Sequence, residues 1–234
     1  MVCKIFYIIL AFISATGSAW AGGEAVREND PLTENGFLQL IKACAPTVDP
    51  STMSAIVSAE SRGNQFAIAD AGLLSLPWAQ RKSMVRSFYF GTVEESVEKA
   101  EQLLSIGHTV SLGLAQINDR NLKKYGLSIR DTFDPCKNIA TGGKIITEFY
   151  AKAVRQFGEG KVALNAALLA YNQGYWHGGD RDGYVKLVYQ QANRRLILQT
   201  KAVNKDISHA GGVQPIVANP GHEFKISARE FSLE

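Results

Sequence analysis

The sequence lacks the short motifs that mark the common nucleotide-dependent and serine-dependent chemistries. It has no P-loop, no glycine-rich dinucleotide fingerprint and no Gly-x-Ser-x-Gly elbow. Its four histidines, His108, His177, His209 and His222, are scattered, and neither a His-x-x-x-His nor a Cys-x-x-Cys spacing occurs. We therefore expect no zinc site and no other metal or cofactor.

An excess of charge of one sign is also missing. The chain has 25 lysines and arginines against 22 aspartates and glutamates, and the two signs are interspersed. Nucleic-acid-binding domains concentrate positive charge in a patch or stripe, so we do not expect a nucleic-acid partner. No internal repeat is visible. The 46% hydrophobic content suffices for the core of one ordinary domain with extensions.

The apolar run at the N-terminus, Ile5–Ile13, is too short to span a membrane comfortably. Lys4 precedes the run, and Ala19-Trp20-Ala21 follows it as a small-x-small cleavage site. This order predicts a cleaved secretory signal peptide over residues 1–21, with the mature chain starting near Gly22. An uncleaved anchor is the alternative. After cleavage we expect no membrane span.

Cysteine is scarce, with three in the whole chain. Cys3 leaves with the predicted signal peptide, so Cys44 and Cys136 remain. In an oxidising compartment such a pair predicts a disulfide. It would close a loop of about ninety residues, with an entropic effect of roughly 4–5 kcal/mol. Two separate buried thiols are the alternative, and a catalytic cysteine is disfavoured because neither lies beside a histidine.

The stretch from Asp49 to Ser61 predicts a helix that carries a carboxylate to the edge of the core. Asp49 is a helix-capping residue, and Pro50 suits the first helical position. Apolar residues follow at helical spacing, at Met53, Ile56 and Val57. The next position on this stripe is Glu60, whose pKa burial should raise, as a general acid requires. The alternative is a Glu60 turned out to water, because Arg62 and Gly63 end the helix nearby.

The remaining patterns predict a mainly α-helical single domain over residues 37–198, with a minor β or loop insertion. Small and apolar residues alternate over Asn64–Ser75, which is typical of an ordered loop or short strands. No strand-rich block is visible. Residues 22–36 are expected to form a flexible lead-in, and residues 199–234 a flexible tail. Besides the Glu60 helix, the predicted helices are Phe37–Ala43, one opened by a capping box at Thr92 and closed by Gly107, Asp134–Phe157, Lys161–Asn172 and Asp180–Leu198.

Two segments have more than one interpretation. Pro77–Phe90 mixes bases with aromatics, and it either lines a groove or packs its aromatics inward. Gln116 and Asn118 are amide side chains in a segment otherwise fit for burial, so they either hold an acetamido sugar or cap a turn. The last predicted helix is amphipathic, and its apolar residues are Tyr184, Leu187, Val188 and Leu196.

The sequence gives Glu60 no obvious carboxylate partner. Ordinary glycosidases use two carboxylates. Asp70, Asp119 and Asp131 are candidates, but none shares a recognisable motif with Glu60. A single acid points to a mechanism in which the substrate supplies the second function.

Four motifs then follow in a fixed order: Glu60-Ser61, Gly113-Leu114-Ala115-Gln116-Ile117-Asn118, Asp134-Pro135-Cys136-Lys137-Asn138-Ile139 and Ala170-Tyr171-Asn172-Gln173-Gly174. Over residues 38–195 this set resembles the lytic transglycosylases of the goose-type lysozyme superfamily. The likeness is greatest to the branch that serves bacterial type IV secretion systems. That branch similarly has Cys-Ala-Pro-Thr before the catalytic helix, Ser-Leu-Gly before the glutamine motif and Asp-Pro-Cys-Lys-Asn.

The resemblance implies a lysozyme-like domain with a substrate cleft that cleaves peptidoglycan in the periplasm. Its substrate would be the β-1,4 bond between N-acetylmuramic acid and N-acetylglucosamine, and its product a 1,6-anhydromuramic acid end. By the same resemblance Glu60 is the only catalytic acid and base, Tyr171 hydrogen-bonds near it, and Asn138 is structural. The residues implied around the glycan cleft are Ser61, Gln116, Asn118, Tyr171 and Asn172.

The resemblance to the secretion-system branch also suggests other components of that system as partners. A goose-type muramidase that hydrolyses the same bond is one alternative, and a non-catalytic wall-binding scaffold is another. The sequence departs from the family pattern at Gln65, where proline is frequent, and at Gly63, where a bulky residue is common. The stretch from Glu60 to Gln116 is also longer than in soluble relatives. The family pattern therefore does not extend to the loop over the cleft, Leu73–Ser111.

Overall fold

The computed structural model describes residues 34–180 and 182–194. The predicted signal peptide, most of the lead-in and the tail lie outside these residues. None of the helices in the described ranges has the length and apolar character that a membrane crossing needs. The helices are α1 Glu34–Cys44, α2 Pro50–Ser61, α3 Trp78–Arg81, α4 Val93–Ser105, α5 Leu122–Tyr125, α6 Pro135–Phe157, α7 Lys161–Gln173 and α8, residues 184–194; the strands are β1 Ala67–Leu73, β2 Arg86–Tyr89, β3 His108–Leu112 and β4 Ile117–Asn118.

Helix α2 forms as the sequence predicts. The Asp49 carboxylate accepts hydrogen bonds from the N–H groups of Ser51 and Thr52, and Pro50 occupies the first turn. The apolar stripe of this helix, Met53, Ile56 and Val57, is fully buried. It belongs to the main core, which also takes in apolar residues of α1, α6, α7 and α8.

Small residues on α6 and α7 allow close packing against neighbouring segments. A Cβ added at Gly142 would lie 2.7 Å from the Ala115 Cβ and 2.9 Å from the Met53 Cε, so only glycine fits there. On α7 four alanines are buried, namely Ala163, Ala166, Ala167 and Ala170. Gly142 of α6 therefore lies against Met53 of α2 and the Tyr171 hydroxyl of α7.

Four antiparallel strands form one sheet in the order β2-β1-β3-β4. One face of the sheet packs against α4 in a second, smaller core that includes Ile68, Val110, Leu112 and Leu103. Helix α4 begins with the predicted capping box, because the Thr92 hydroxyl accepts the N–H of Glu95. The fold is thus mainly helical, with a small sheet attached to one side, as predicted.

The sequence patterns missed most of this sheet. Only β1 falls in the segment predicted as loop or short strands, and β2 and β3 were not expected. The cause is visible in the strands themselves: one face of the sheet carries alanine and serine, so the alternation of apolar and polar residues is weak. Within Pro77–Phe90, Phe88 and Phe90 pack against the smaller core, whereas Trp78 and Tyr89 are exposed.

Helix boundaries differ from the prediction at both ends of the domain. Helix α1 begins at Glu34, inside the predicted lead-in. Helix α8 begins at residue 184 because the Asp180 carboxylate accepts the N–H groups of Val185 and Lys186, which caps the helix from outside. Of the apolar residues named for this helix, Tyr184 and Val188 are buried and Leu187 is exposed. Leu196 lies outside the described residues.

The predicted disulfide is present between Cys44 at the end of α1 and Cys136 at the start of α6, 92 residues apart. We expect the double variant Cys44→Ser and Cys136→Ser to lose about 4 kcal/mol of unfolding free energy, since a loop of this length is constrained in the unfolded chain. Urea unfolding of the variant and of the oxidised parent measures the difference. The control is urea unfolding of the parent in the presence of a reducing agent, which should give the same unfolding free energy as the variant. A loss below about 1 kcal/mol in the variant would contradict the expectation.

Candidate active site

Glu60 lies in the last turn of α2, where the apolar stripe of the helix meets a partly open surface. Its side chain is partly buried, and its Oε1 accepts a hydrogen bond of 2.6 Å from the Tyr184 hydroxyl. Burial raises the pKa of Glu60 from 4.5 to about 7, and the hydrogen bond from Tyr184 opposes part of that rise. A carboxyl with this pKa is protonated in a large share of molecules at neutral pH. It meets the requirement for a general acid.

The partner of Glu60 is a residue that sequence reasoning placed in the core without a polar role. Tyr184 is the first residue of α8, lies 124 positions from Glu60 and is only 7% exposed. A buried tyrosine normally finds a partner for its hydroxyl. That rule would have marked Tyr184 as a candidate, but nothing in the sequence identifies the partner across so long a separation.

Tyr171 lies close to Glu60 but does not hydrogen-bond to it. Its hydroxyl donates instead to the carbonyl oxygen of Ala115 at 2.7 Å. Burial, with the nearby negative charge of Glu60 as a second cause, raises the pKa of Tyr171 well above its usual value. The implied hydrogen bond near Glu60 is thus made by Tyr184, while Tyr171 ties α7 to the segment that carries Gln116.

Gln116 occupies a left-handed backbone conformation, with φ 49°. Its Nε2 donates to the carbonyl oxygens of Gly113 at 2.8 Å and Ala67 at 3.2 Å. Both amide hydrogens are therefore directed to the backbone. Within the described residues Oε1 has no hydrogen-bond partner, so Gln116 offers a ligand one acceptor in a fixed position.

Ser61 and Asn118 are tied to their own surroundings. The Ser61 hydroxyl is buried, donates to the Val57 carbonyl oxygen and accepts the N–H of Gly63. The Asn118 Oδ1 caps the turn after β4 by accepting the N–H of Arg120. These contacts support the turn-capping interpretation of Asn118 and a structural role for Ser61. Asn172, by contrast, is exposed at the end of α7.

A fully buried amide holds the glutamine segment in place. Asn138 on α6 accepts the N–H of Ala115 at 2.7 Å and donates to the carbonyl oxygens of Leu112 and Thr132 at 2.9 and 2.6 Å. The turn that Asn138 hydrogen-bonds contains Gly113 at φ +74°, where a Cβ would lie 2.2 Å from the Thr132 carbonyl oxygen. The structural role implied for Asn138 is therefore visible in these contacts.

The three candidate second carboxylates are engaged elsewhere. Asp70 is buried and pairs with His108 and Arg86, while Asp119 accepts the Thr109 hydroxyl and the Val110 N–H. Asp131 pairs with Lys137, which holds its pKa far below the usual range. Within the described part of the chain, no carboxylate hydrogen-bonds to Glu60 or to its partner Tyr184. Nor do three His, Cys, Asp or Glu side chains there form a group that could hold a metal.

Several known proteins are similar to this chain in sequence. The profile of the family described as "Transglycosylase SLT domain" matches residues 38–191, more than half of the chain. "Type IV secretion system protein virB1" of Brucella abortus is 40% identical over 144 residues, which cover 61% of this chain and 56% of that relative. "Protein virB1" of Agrobacterium fabrum is 28% identical over 176 residues, which cover 75% of this chain and 66% of the relative. The match thus spans less than two thirds of either relative. No solved structure matches the chain.

Removing the Tyr184 hydroxyl should raise the pKa of Glu60 further. The hydrogen bond favours the charged carboxylate, so Tyr184→Phe removes the contact that opposes the effect of burial. A carbon-detected NMR titration of the Glu60 carboxyl group measures this shift. Tyr189→Phe is the matched control on the same helix, because that hydroxyl contacts Asn165. An unchanged or lowered Glu60 pKa in Tyr184→Phe would contradict the assignment.

Glu60 should also make stability depend on pH. Its pKa is about 7 in the folded chain and 4.5 ordinarily, so between these values the folded chain holds a proton that the unfolded chain releases. Stability from this group therefore falls as pH rises from 4.5 to 7, by up to about 3 kcal/mol. Glu60→Gln removes the titration, and its stability relative to the parent should increase from pH 4 to pH 8.

Unfolding free energies of the parent and Glu60→Gln across this pH range test the expectation. Glu98→Gln, at an exposed position on α4, is the control and should give a difference that stays constant. A constant difference for Glu60→Gln as well would mean that its carboxyl is not desolvated.

Proposed function

The chain belongs to the Transglycosylase SLT domain family, and from this membership and the surroundings of Glu60 we propose that it is a peptidoglycan lytic transglycosylase. It cleaves the β-1,4 bond between N-acetylmuramic acid and N-acetylglucosamine and leaves a 1,6-anhydromuramic acid end. The observation that carries the proposal is the desolvated carboxyl of Glu60, which has a pKa of about 7 and accepts a hydrogen bond from Tyr184. Among the described residues, no second carboxylate contacts it through a hydrogen bond.

In the first step, protonated Glu60 donates its proton to the glycosidic oxygen while the bond to the anomeric carbon breaks. The anomeric carbon passes through an oxocarbenium-like state, and the sugar on the other side leaves with the proton. Glu60 is now a carboxylate. The Tyr184 hydroxyl donates to this charged form, so it lowers the cost of the ionised stage in a desolvated site.

In the second step, the carboxylate of Glu60 removes the proton from the 6-hydroxyl of the muramic acid. The oxygen closes onto the anomeric carbon and forms the 1,6-anhydro ring, and Glu60 regains its starting proton. No water is consumed. Because the nucleophile is tethered to the same sugar, it reacts with a high effective molarity. A second protein carboxylate is unnecessary for this route, which fits the local engagement of Asp70, Asp119 and Asp131.

The proposal gives the remaining predicted residues different roles. Gln116 presents its free amide oxygen to the glycan, and exposed Asn172 lines the opposite edge of the cleft. Tyr171 and Asn138 position the Gln116 segment through Ala115. Ser61 supports the end of α2 from within.

We extend the proposal to the cellular setting on the basis of the relatives that are named as type IV secretion proteins. The enzyme opens the cell wall locally for the assembly of a secretion machine, and it reaches the periplasm through the predicted signal peptide. Contacts with other components of that machine belong to the same proposal.

Glu60→Gln should lower cleavage of purified sacculi about a thousandfold or more, because it removes the acid and base together. Mass spectrometry of the products tests the chemistry. The parent should release anhydromuropeptides, which are one water lighter than the products of hydrolysis. Glu98→Gln is the control and should retain full activity. Hydrated products would identify a muramidase instead, and unchanged cleavage by Glu60→Gln would refute the assignment of the acid.

A further inference from the structure

Large apolar side chains are exposed around the end of β1 that lies away from α2. Five of them are between 43% and 57% exposed. Single exposed apolar residues are common on protein surfaces, whereas a contiguous group of them marks an interaction site. We call this group the apolar patch: Leu74, Trp78, Met84, Val85 and Ile106.

Backbone contacts join separate parts of the apolar patch. A Cβ on Gly72 would lie 3.8 Å from the Met84 Cβ, so the turn that carries Met84 folds back against the last residues of β1. The Leu74 N–H donates to the Gly107 carbonyl oxygen at 3.0 Å, which brings the neighbouring Ile106 to the same end of the strand. The patch is therefore one surface, although Ile106 lies far from the other members in the sequence.

Positive charge accompanies the apolar patch without acids to balance it. Residues 73–90 contain no aspartate or glutamate and three bases, namely Arg81, Lys82 and Arg86. The Arg81 guanidinium lies over the Trp78 ring, 5.5 Å from its centroid. Within residues 34–180 and 182–194, neither Arg81 nor Lys82 forms an ion pair with a carboxylate. Tryptophan and arginine are the residues that contribute most at protein interfaces, and the two unbalanced cations favour an acidic partner.

A cavity opens beside the apolar patch. It has a volume of about 280 Å³ and is lined by Gly72, Ser83, Met84, Arg86 and His108. The buried Asp70 carboxylate contacts both the Arg86 guanidinium and the His108 ring, which fixes two of these lining residues. Since a cavity of about 150 Å³ holds a benzene-sized group, this one can take a large side chain. A concave site of this kind suits a protruding side chain of another protein better than the surface of a membrane.

The apolar patch is separated from the proposed active site by the length of β1. The Ala67 carbonyl oxygen, at the start of this strand, accepts the Gln116 Nε2. Leu73 ends the strand and leads directly into Leu74 of the patch. Seven residues of extended chain span roughly 20 Å. A partner bound to the patch therefore leaves the surroundings of Glu60 accessible to the glycan.

We propose that the apolar patch is a docking surface for an acidic segment of a partner protein. The segment inserts one apolar side chain into the cavity beside Met84 and directs its carboxylates to Arg81 and Lys82. The inference names a surface for the partner contacts of the proposed function, and it rests on that function for the partner being a secretion component. Most of the patch belongs to the long segment between Glu60 and Gln116, so docking would be a property of that segment.

The first test selects peptides from a random library displayed on phage. Peptides are bound to the full mature chain, and those that also bind Trp78→Ala are removed, so that binders of other surfaces are discarded. The remaining peptides should carry more acidic than basic residues and at least one large apolar residue. The absence of such peptides, or a remaining set that is neutral or basic, would overturn the proposal.

Affinities of the most frequent selected peptide for further variants then locate its binding site. Met84→Glu should weaken binding about tenfold or more, because it removes an apolar contact and adds a charge that repels the peptide. Lys82→Ala should weaken binding about threefold at low salt and less at high salt, since salt screens an exposed charge. Equal affinity of Met84→Glu and the parent would refute the docking surface.

Matched controls carry the same changes outside the apolar patch. Val162→Glu replaces a side chain that is 64% exposed on α7, and Lys144→Ala removes an exposed cation on α6. Both controls should bind the peptide as the parent does. A loss in Val162→Glu as large as in Met84→Glu would mean that the added charge acts from anywhere on the surface, which contradicts a defined site.

Sedimentation with lipid vesicles tests the other anionic partner that a basic and apolar surface suits. The probes are vesicles of phosphatidylglycerol and phosphatidylethanolamine. The parent chain should stay in the supernatant. Sedimentation of the parent that Met84→Glu abolishes would assign the apolar patch to a membrane surface and overturn the proposal.

Cleavage of sacculi separates this inference from the proposed reaction. Met84→Glu should release anhydromuropeptides at the rate of the parent, because the apolar patch lies away from Glu60. If the parent forms anhydro ends but selects no acidic peptide, the docking surface alone is refuted. If the parent forms none while acidic peptides bind through the patch, the proposed reaction alone is refuted.

Discussion

A single hydrogen bond inside an apolar setting, from the Tyr184 hydroxyl to the Glu60 carboxylate, links the two ends of the domain. Helix α2 brings the carboxyl because its stripe of Met53, Ile56 and Val57 must be buried, and α8 brings the tyrosine from 124 residues away. The two contributions to the pKa oppose each other: burial disfavours the charge, and the hydroxyl favours it. The balance near neutral pH depends on α8 docking against α2, so the chemistry depends on the tertiary fold as a whole.

The Gln116 segment depends on a second constraint, the buried amide of Asn138. This side chain hydrogen-bonds to three backbone groups around the turn, and buried backbone groups need such partners. Because Gly142 has no side chain, α6 lies close to Ala115, and the Tyr171 hydroxyl donates a hydrogen bond to the Ala115 carbonyl oxygen. The segment that carries the Gln116 amide is thus positioned by Asn138, Gly142 and Tyr171.

Sequence reasoning succeeded where the signal is local. The cap at Asp49, the stripe ending at Glu60 and the capping box at Thr92 follow from neighbouring residues, and the structure contains all of them. The disulfide followed from a different argument, two cysteines left in an exported chain, and it is present as well. It failed where the cause is distant. The role of Tyr184 depends on a contact with a residue far away in the sequence. Strands β2 and β3 are stable because they pair with β1 and pack in the core beside α4, and the pattern of their own residues does not indicate this. The start of α8 also depends on a side chain outside the helix, the Asp180 carboxylate, and so falls four residues later than predicted.

The proposed single-acid chemistry places a particular demand on substrate binding. When the nucleophile is a hydroxyl of the substrate itself, the protein accelerates ring closure only by holding that sugar in the orientation from which its oxygen reaches the anomeric carbon. One carboxyl cannot fix the orientation of a sugar within a flexible strand. Contacts away from the reacting atoms must do so, since binding interactions remote from the reaction can stabilise a reactive geometry. In the proposed complex, the Gln116 amide oxygen, whose side chain is fixed by the carbonyl oxygens of Gly113 and Ala67, would be one such contact.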